Sequence, residues 1–176
     1  MRGMTLFAEG ILKLYWDQSV PVNLARIAKA MGIVVVLSDA VEQCAILAIS
    51  KDNKPRLTLG TRQGSIRQRY GVAHAIGHLA LHHLRPGSQR AIDVTNNFGV
   101  DHSSRIESEA NHFALELLMP RAVVEYCVRD LEMTEIEAMA DLFDVAPILV
   151  KQRLADMDIR LPRSLARPAD PPLDLD

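Results

Sequence analysis

The hydrophobic positions of the first third of the chain alternate between helical and extended spacing. The N-terminal ones recur every three or four positions, at Leu6, Phe7, Ile11, Leu14 and Tyr15. This spacing predicts a first helix, and residues 22–31, between Pro21 and Gly32, predict a second. Three short aliphatic segments follow at 33–37, 45–49 and 56–59 and predict strands. A polar run at 51–54 separates the last two, which are therefore predicted to form a hairpin.

The rest of the chain has mainly helical spacing. A long helix is predicted over residues 65–84, ended by Pro86 and Gly87. A polar loop is predicted from 88 to about 104. Further helices are predicted at 105–119, 123–128, 134–143 and 147–157. This order predicts an α+β fold, divided into a core (1–120), a small helical C-terminal subdomain (121–166) and a disordered tail (167–176).

Composition restricts the function only broadly. The chain has 176 residues, is 48% hydrophobic, and carries a net charge of -2, which argues against a protein held mainly by nucleic-acid phosphates. Its two cysteines match no metal or redox spacing, so we expect a reduced, cytoplasmic protein. No apolar run reaches the ~18 residues that a membrane span needs. We expect neither membrane nor direct nucleic-acid binding.

Two residue pairs carry candidate metal chemistry. His74 and His78 are four residues apart on the long helix, so both imidazoles project from one face. Glu107 and Asn111 have the same spacing on a later helix. Two histidines and one carboxylate form a common catalytic zinc ligand set, and Asn111 is placed to contact the outer nitrogen of a ligating histidine. The alternatives are two half-buried histidines on an ordinary helix and a solvated glutamate.

Two longer motifs resemble a known family. Residues 67–82, which contain His74 and His78, resemble the signature helix of the ImmA/IrrE family of metallopeptidases, and residues 107–120 resemble its second motif. The resemblance implies a zincin-like fold, in which a small antiparallel or mixed sheet packs on the HxxxH helix and on a second ligand-bearing helix. It also implies a zinc ion held by His74, His78 and Glu107.

The chain departs from the family pattern at one residue. The family has His-Glu-x-x-His, whereas this chain has Ala75 directly after His74. Alanine cannot take a proton from the attacking water, so the resemblance implies zinc binding with impaired turnover. Either the chain is a natural pseudopeptidase, or Ala75 was introduced to inactivate it; the intact surrounding motif favours the second explanation.

Several other glutamate, histidine and tyrosine residues are considered as metal ligands or oxyanion donors. We expect Glu107 rather than Glu109 to be the ligand, because only Glu107 shares a helix face with Asn111. Glu109 is expected to face solvent or an arginine. His82 is expected to be a structural residue or to lie at the lip of the site. His102 and His112 are expected not to be ligands, and Tyr70, Tyr126 and His102 stay open as oxyanion donors.

The resemblance implies a narrow substrate, a helix-turn-helix transcriptional repressor or antitoxin in a phage or toxin–antitoxin setting. The strand at 56–59 is expected to pair with the extended substrate. One alternative is a zinc-binding pseudopeptidase that regulates a transcription factor by contact. Another is a DNA-binding regulator that uses residues 131–154.

Overall fold

The computed structural model describes residues 2–94, 98 and 104–161. Within them the chain forms seven helices and one sheet of four strands. The elements in order are α1 (Arg2–Tyr15), α2 (Leu24–Ala30), β1 (Val34–Ser38), β2 (Ala45–Ile49), β3 (Pro55–Gly60), α3 (Ser65–Ala80), β4 (Gln89–Ile92), α4 (Arg105–Leu118), α5 (Arg121–Arg129), α6 (Ile136–Phe143) and α7 (Pro147–Asp156). The predicted α+β class with a small mixed sheet is confirmed. The predicted tail at 167–176 lies outside the described residues.

The sheet has the strand order β1-β3-β2-β4. β2 and β3 are antiparallel, with Leu47 opposite Leu57, so the predicted hairpin is confirmed. β1 runs parallel to β3. Since β3 is paired on both sides, the expectation that residues 56–59 would pair with an extended peptide is wrong. In the described part of the chain, the sheet edges are β1 and β4.

Strand β4 lies within the segment predicted to be a polar loop. It has only four residues and buries only Ile92, so it lacks the alternating pattern by which a strand is found in a sequence. Its pairing with β2, with Ala45 opposite Ile92 and Ala48 opposite Gln89, supplies the missing stabilisation. The segment predicted to be a loop therefore contains an edge strand, and this strand lies beside the candidate metal ligands.

Helices α3 and α4 pack closely because of Gly77. A Cβ atom at this position would lie 3.1 Å from the carbonyl oxygen of Ala110 and 3.1 Å from Phe113 Cδ1. That is tighter than ordinary van der Waals contact, so a larger residue would push the two helices apart. The absence of a side chain at Gly77 therefore lets α4 approach α3 next to His78.

The C-terminal helices join the same hydrophobic core as the sheet. Phe143 of α6 and Leu149 of α7 are buried in one cluster with Leu57 of β3. Arg153 of α7 makes a buried ion pair of 2.7 Å with Glu116 of α4. The division at residue 120 stays a prediction. Over residues 2–94, 98 and 104–161, no helix is long and apolar enough to span a membrane.

Candidate metal centre

Helix α3 brings two imidazole rings together beneath α4. The Nε2 atoms of His74 and His78 lie 2.9 Å apart, and the two residues are 4% and 0% exposed. The spacing of one helical turn explains the shared face, as the sequence predicts. Two ring nitrogens at this distance can share only one proton, so at least one lone pair points into the space between them.

Glu107, in the first turn of α4, completes the cluster. Its Oε2 lies 3.0 Å from His74 Nε2, and its Oε1 lies 3.5 Å from His78 Nε2. One ligand atom from each of the three residues falls within 4.8 Å of the others. Ligand atoms around a tetrahedral zinc at ~2.0–2.1 Å are ~3.3 Å apart. The donor set and its spacing therefore fit zinc.

The protonation states also suit metal binding. Burial lowers the pKa of His78 to about 4, so its ring is neutral near pH 7. The neighbouring rings of His74, and then of His78, hold the pKa of the Glu107 carboxyl well below its usual range. Neutral imidazole and ionised carboxylate are the forms that bind metal ions.

Arg90 of β4 is a site residue that the sequence did not reveal. Its Nη1 atom contacts Glu107 Oε1. Arg90 reaches this position because β4 pairs with β2, where it lies opposite Leu47. With β4 predicted as a loop, no local signal distinguishes Arg90 from the other arginines of the chain.

His83 contacts the far side of His78. The two Nδ1 atoms lie 3.1 Å apart, and His83 Nε2 lies 3.1 Å from Glu109 Oε2. Arg105 Nε donates to Glu109 Oε1 at 2.7 Å. The expectation that Glu109 faces an arginine is confirmed, whereas its contact with His83 was missed. His82, in contrast, is exposed.

Asn111 has a different partner from the predicted one. Its Oδ1 accepts a hydrogen bond of 2.6 Å from the Tyr70 hydroxyl. The outer nitrogen of His78 faces His83, and His74 Nδ1 is buried without a hydrogen-bond partner among the described residues. The predicted hydrogen bond from Asn111 to a ligating histidine is therefore replaced by the Tyr70 contact. Asn111 still lies near the site, because the Tyr70 ring is 5.8 Å from that of His74.

The candidate oxyanion donors Tyr70 and Tyr126 differ in burial. Tyr70 is buried, and burial, followed by the negative charge of Glu107, raises its pKa, so the hydroxyl stays protonated. Tyr126 of α5 is exposed. His102 lies outside the described residues. His112 contacts Asp156 Oδ2 at 3.1 Å, away from the three ligand candidates, as expected of a non-ligand.

Ala75 occupies the position next to His74 and belongs to the hydrophobic core. It is 1% exposed. At about 100° per residue, it lies ~60° around the helix from His78. The residue has no titratable atom, so the position contributes packing and no proton transfer.

Two histidines on one helix and a carboxylate on the next, beside a small mixed sheet, define a zincin-like metallopeptidase fold. The sequence matches the profile of the peptidase M78 family, described as the IrrE N-terminal-like domain, over residues 28–155. The chain belongs to this family. A comparison with functionally curated proteins gives no significant match.

A solved structure is similar over nearly the whole chain. It is described as a Mycobacterium tuberculosis transcriptional regulator, with 19% sequence identity and a TM-score of 0.62. The alignment covers 96% of this chain and 48% of the other. The chain thus spans about half the length of that protein, and the likeness supports the fold.

Proposed function

We propose that the chain is an ImmA/IrrE-type zinc peptidase scaffold whose partner is a helix-turn-helix repressor or antitoxin, and that Ala75 leaves it able to bind but barely able to cleave. The observation that carries the proposal is the convergence of His74, His78 and Glu107. These three residues would hold the zinc ion. When bound, zinc would supply a Lewis acid for the peptide carbonyl and the attacking water.

The free edge of β4 is the proposed docking position for an extended segment of the substrate. β4 pairs with β2 on one side, and no described strand occupies its other side. Its Arg90 contacts Glu107, so a peptide added along this edge would pass close to the ligand cluster. Main-chain hydrogen bonds along an edge strand supply affinity in this mode of recognition.

Position 75 explains the expected loss of turnover. Loss of a general base costs typically ~10²–10⁴-fold in rate, while the three ligand candidates are intact. Binding and cleavage are therefore separable in this chain. We place the reaction in the cytoplasm, since Cys44 and Cys127 are both free thiols.

The test compares the chain as given with the variants Ala75→Glu and Ala75→Gln. Glutamine has the size of glutamate but cannot serve as a base. Each protein is incubated with the helix-turn-helix protein encoded beside its gene, with and without a chelator, and the products are read by mass spectrometry. We expect chelator-sensitive fragments with Ala75→Glu only. A zinc-loaded Ala75→Glu variant that binds its partner and leaves it intact would contradict the peptidase proposal.

A second candidate is a pseudopeptidase that regulates its partner by contact. Ala75 has no titratable atom, while His74, His78 and Glu107 remain together, which fits a scaffold that holds a metal ion and a partner without cleavage. In that case the chain as given changes the DNA binding of its partner without cutting it. An unaltered partner with unaltered DNA binding would exclude this candidate.

DNA reading by α7 has little support. Its basic residues are Lys151 and Arg153. Arg153 is buried, donates from Nε to the carbonyl oxygen of Met119 at 3.0 Å, and pairs with Glu116. A single remaining lysine is too little charge for phosphate contacts to supply affinity.

A further inference from the structure

We propose that His83 and Glu109 form a relay that fixes the orientation and the tautomer of His78 for metal binding. The proposal rests on the zinc site of the proposed function. Its basis is a continuous row of contacts from Glu109 through His83 to the outer nitrogen of His78, with both links at 3.1 Å. His83 and Glu109 are positioning residues in this account, since neither touches the metal position.

The protons of the row can be assigned in only one way if His78 is to bind a metal through Nε2. That nitrogen must then carry a lone pair, so the proton of the neutral ring is on Nδ1. His78 Nδ1 donates to His83 Nδ1, which must be an acceptor. The proton of His83 is therefore on Nε2, where it is donated to the carboxylate of Glu109. Every donor in the row has an acceptor, and the row ends on a negative charge.

The backbone after α3 explains how His83 comes to lie against His78, a residue of the helix that has just ended. Helix α3 ends at Ala80, four residues before the predicted end, and His82 adopts a left-handed φ of 56°. The amide of His83 then donates to the carbonyl oxygen of His78 at 2.9 Å. Such a bond is typical of a helix C-terminus that turns back on itself. The turn exposes His82 and directs His83 inward, where its side chain is 8% exposed.

Helix α4 holds the other end of the row. Glu109 lies two residues after Glu107, so a single helix supplies both a metal ligand and the carboxylate of the relay. Arg105, one turn earlier, binds the second oxygen of Glu109 at 2.7 Å. The ion pair is exposed on the Arg105 side, so its contribution is to orient the carboxylate more than to add stability.

The two ligand histidines differ in this respect. His78 has the relay, whereas His74 Nδ1 is without a hydrogen-bond partner among the described residues. Outer contacts of this kind are typically worth ~10–100-fold in metal affinity. We therefore expect the relay to act on the zinc affinity through His78.

The test uses His83→Leu, which removes both links, and His83→Asn, whose side-chain oxygen can still accept from His78 Nδ1. His82→Asn is the matched control, because it changes the neighbouring exposed histidine and suits a left-handed backbone. Zinc affinity is measured by competition with a chromogenic chelator, and the ligand field by the visible spectrum of the cobalt-substituted protein. Ring ¹⁵N shifts of His78 in the metal-free protein at about pH 8, where histidine is normally neutral, report the tautomer.

We expect His83→Leu to lose ~10–100-fold in zinc affinity, to alter the cobalt spectrum, and to lose the Nδ1–H tautomer of His78. His83→Asn should recover most of these properties, and His82→Asn should change none. Equal zinc affinity and an unchanged tautomer in His83→Leu would overturn the relay and leave the proposed function standing. A parent chain that binds no zinc but shows the Nδ1–H tautomer, lost in His83→Leu, would overturn the proposed function and support the orienting row.

Discussion

Helix α4 contributes a glutamate to each of two sites, an ion pair with α7 and a histidine cluster with α3. The two sites differ in whether a further ion is needed to complete them. Towards α7, Glu116 meets Arg153 in a buried pair of one acid and one base. Towards α3, Glu107 meets two histidines, of which His78 is neutral near pH 7 because burial lowers its pKa to about 4. The first pair is complete without any further ion. The second cluster, in which Arg90 also contacts Glu107, brings two ring nitrogens and a carboxylate together and would be completed by a bound metal ion.

Removal of a ligand should produce the largest difference between the two sites. We expect Glu107→Ala or His74→Ala to weaken zinc binding on the order of 10³-fold, because one of three ligands supplies roughly a third of ~10–16 kcal/mol. Chelator competition measures the effect. Glu116→Ala, the matched change at the other end of the helix, should keep the parent affinity. Glu109→Ala should leave zinc stoichiometry unchanged at saturation; if it abolishes binding while Glu107→Ala does not, the ligand is misassigned.

The pair with α7 should show the opposite behaviour. Glu116→Ala leaves the Arg153 guanidinium buried without its counter-charge, which typically costs ~3–5 kcal/mol of unfolding free energy. Chemical denaturation of the metal-free protein measures this loss. The double variant Glu116→Leu with Arg153→Met should regain most of it, since a buried pair can be replaced by apolar groups at little cost. A double variant no more stable than Glu116→Ala would contradict the explanation that the loss comes from the uncompensated charge of Arg153.

Zinc should stabilise the folded chain through the cluster of His74, His78 and Glu107 alone. At a free zinc concentration of 100 times the dissociation constant, mass action adds ~2.7 kcal/mol. For a chain of this length that corresponds to a rise of ~5–10 °C in the melting temperature. Calorimetry with and without zinc measures the shift, with Glu107→Ala as the control that should not respond. An unchanged melting curve in the parent chain would contradict metal binding in the native state.

The smallest effect is expected at His112, which also joins α4 to α7. Its hydrogen bond with Asp156 raises the pKa of His112 above the ordinary value. The protonated ring therefore stabilises the folded state fully below about pH 6.5, and this contribution is lost as the pH rises through the raised pKa. Partial exposure limits it to less than ~1 kcal/mol. His112→Asn should lose stability at pH 5.5 and not at pH 8; equal losses at both would contradict the assignment.

The sequence was most informative where a single helix decides the geometry. The spacing of His74 and His78 places two imidazoles on one face of α3 whatever surrounds them, and Glu107 followed from the same argument on α4. The α+β class and the β2–β3 hairpin were likewise local enough to predict. These features depend on periodicity and turn chemistry, which a sequence displays directly.

The sequence was least informative where a contact depends on strand pairing or on a helix end. Arg90 reaches Glu107 only because the short strand β4 pairs with β2. His83 reaches His78 only because His82 takes a left-handed conformation and ends α3 early, a conformation that histidine adopts uncommonly. Strand pairing also explains why the predicted peptide-binding strand is wrong, because β3 is paired with β1 on one side and with β2 on the other. In each case the tertiary structure decides the outcome against a weak local signal.

The measurement that tests the central claim most directly is the metal content of the purified chain. The protein is prepared without chelator, analysed by native mass spectrometry and elemental analysis, and compared with Glu107→Ala prepared in parallel. The account predicts about one zinc ion per chain in the parent protein, in a site with three protein ligands and one open position, and little or none in the variant. A folded parent chain that stays metal-free in excess zinc, or a variant that retains a full equivalent, would contradict it.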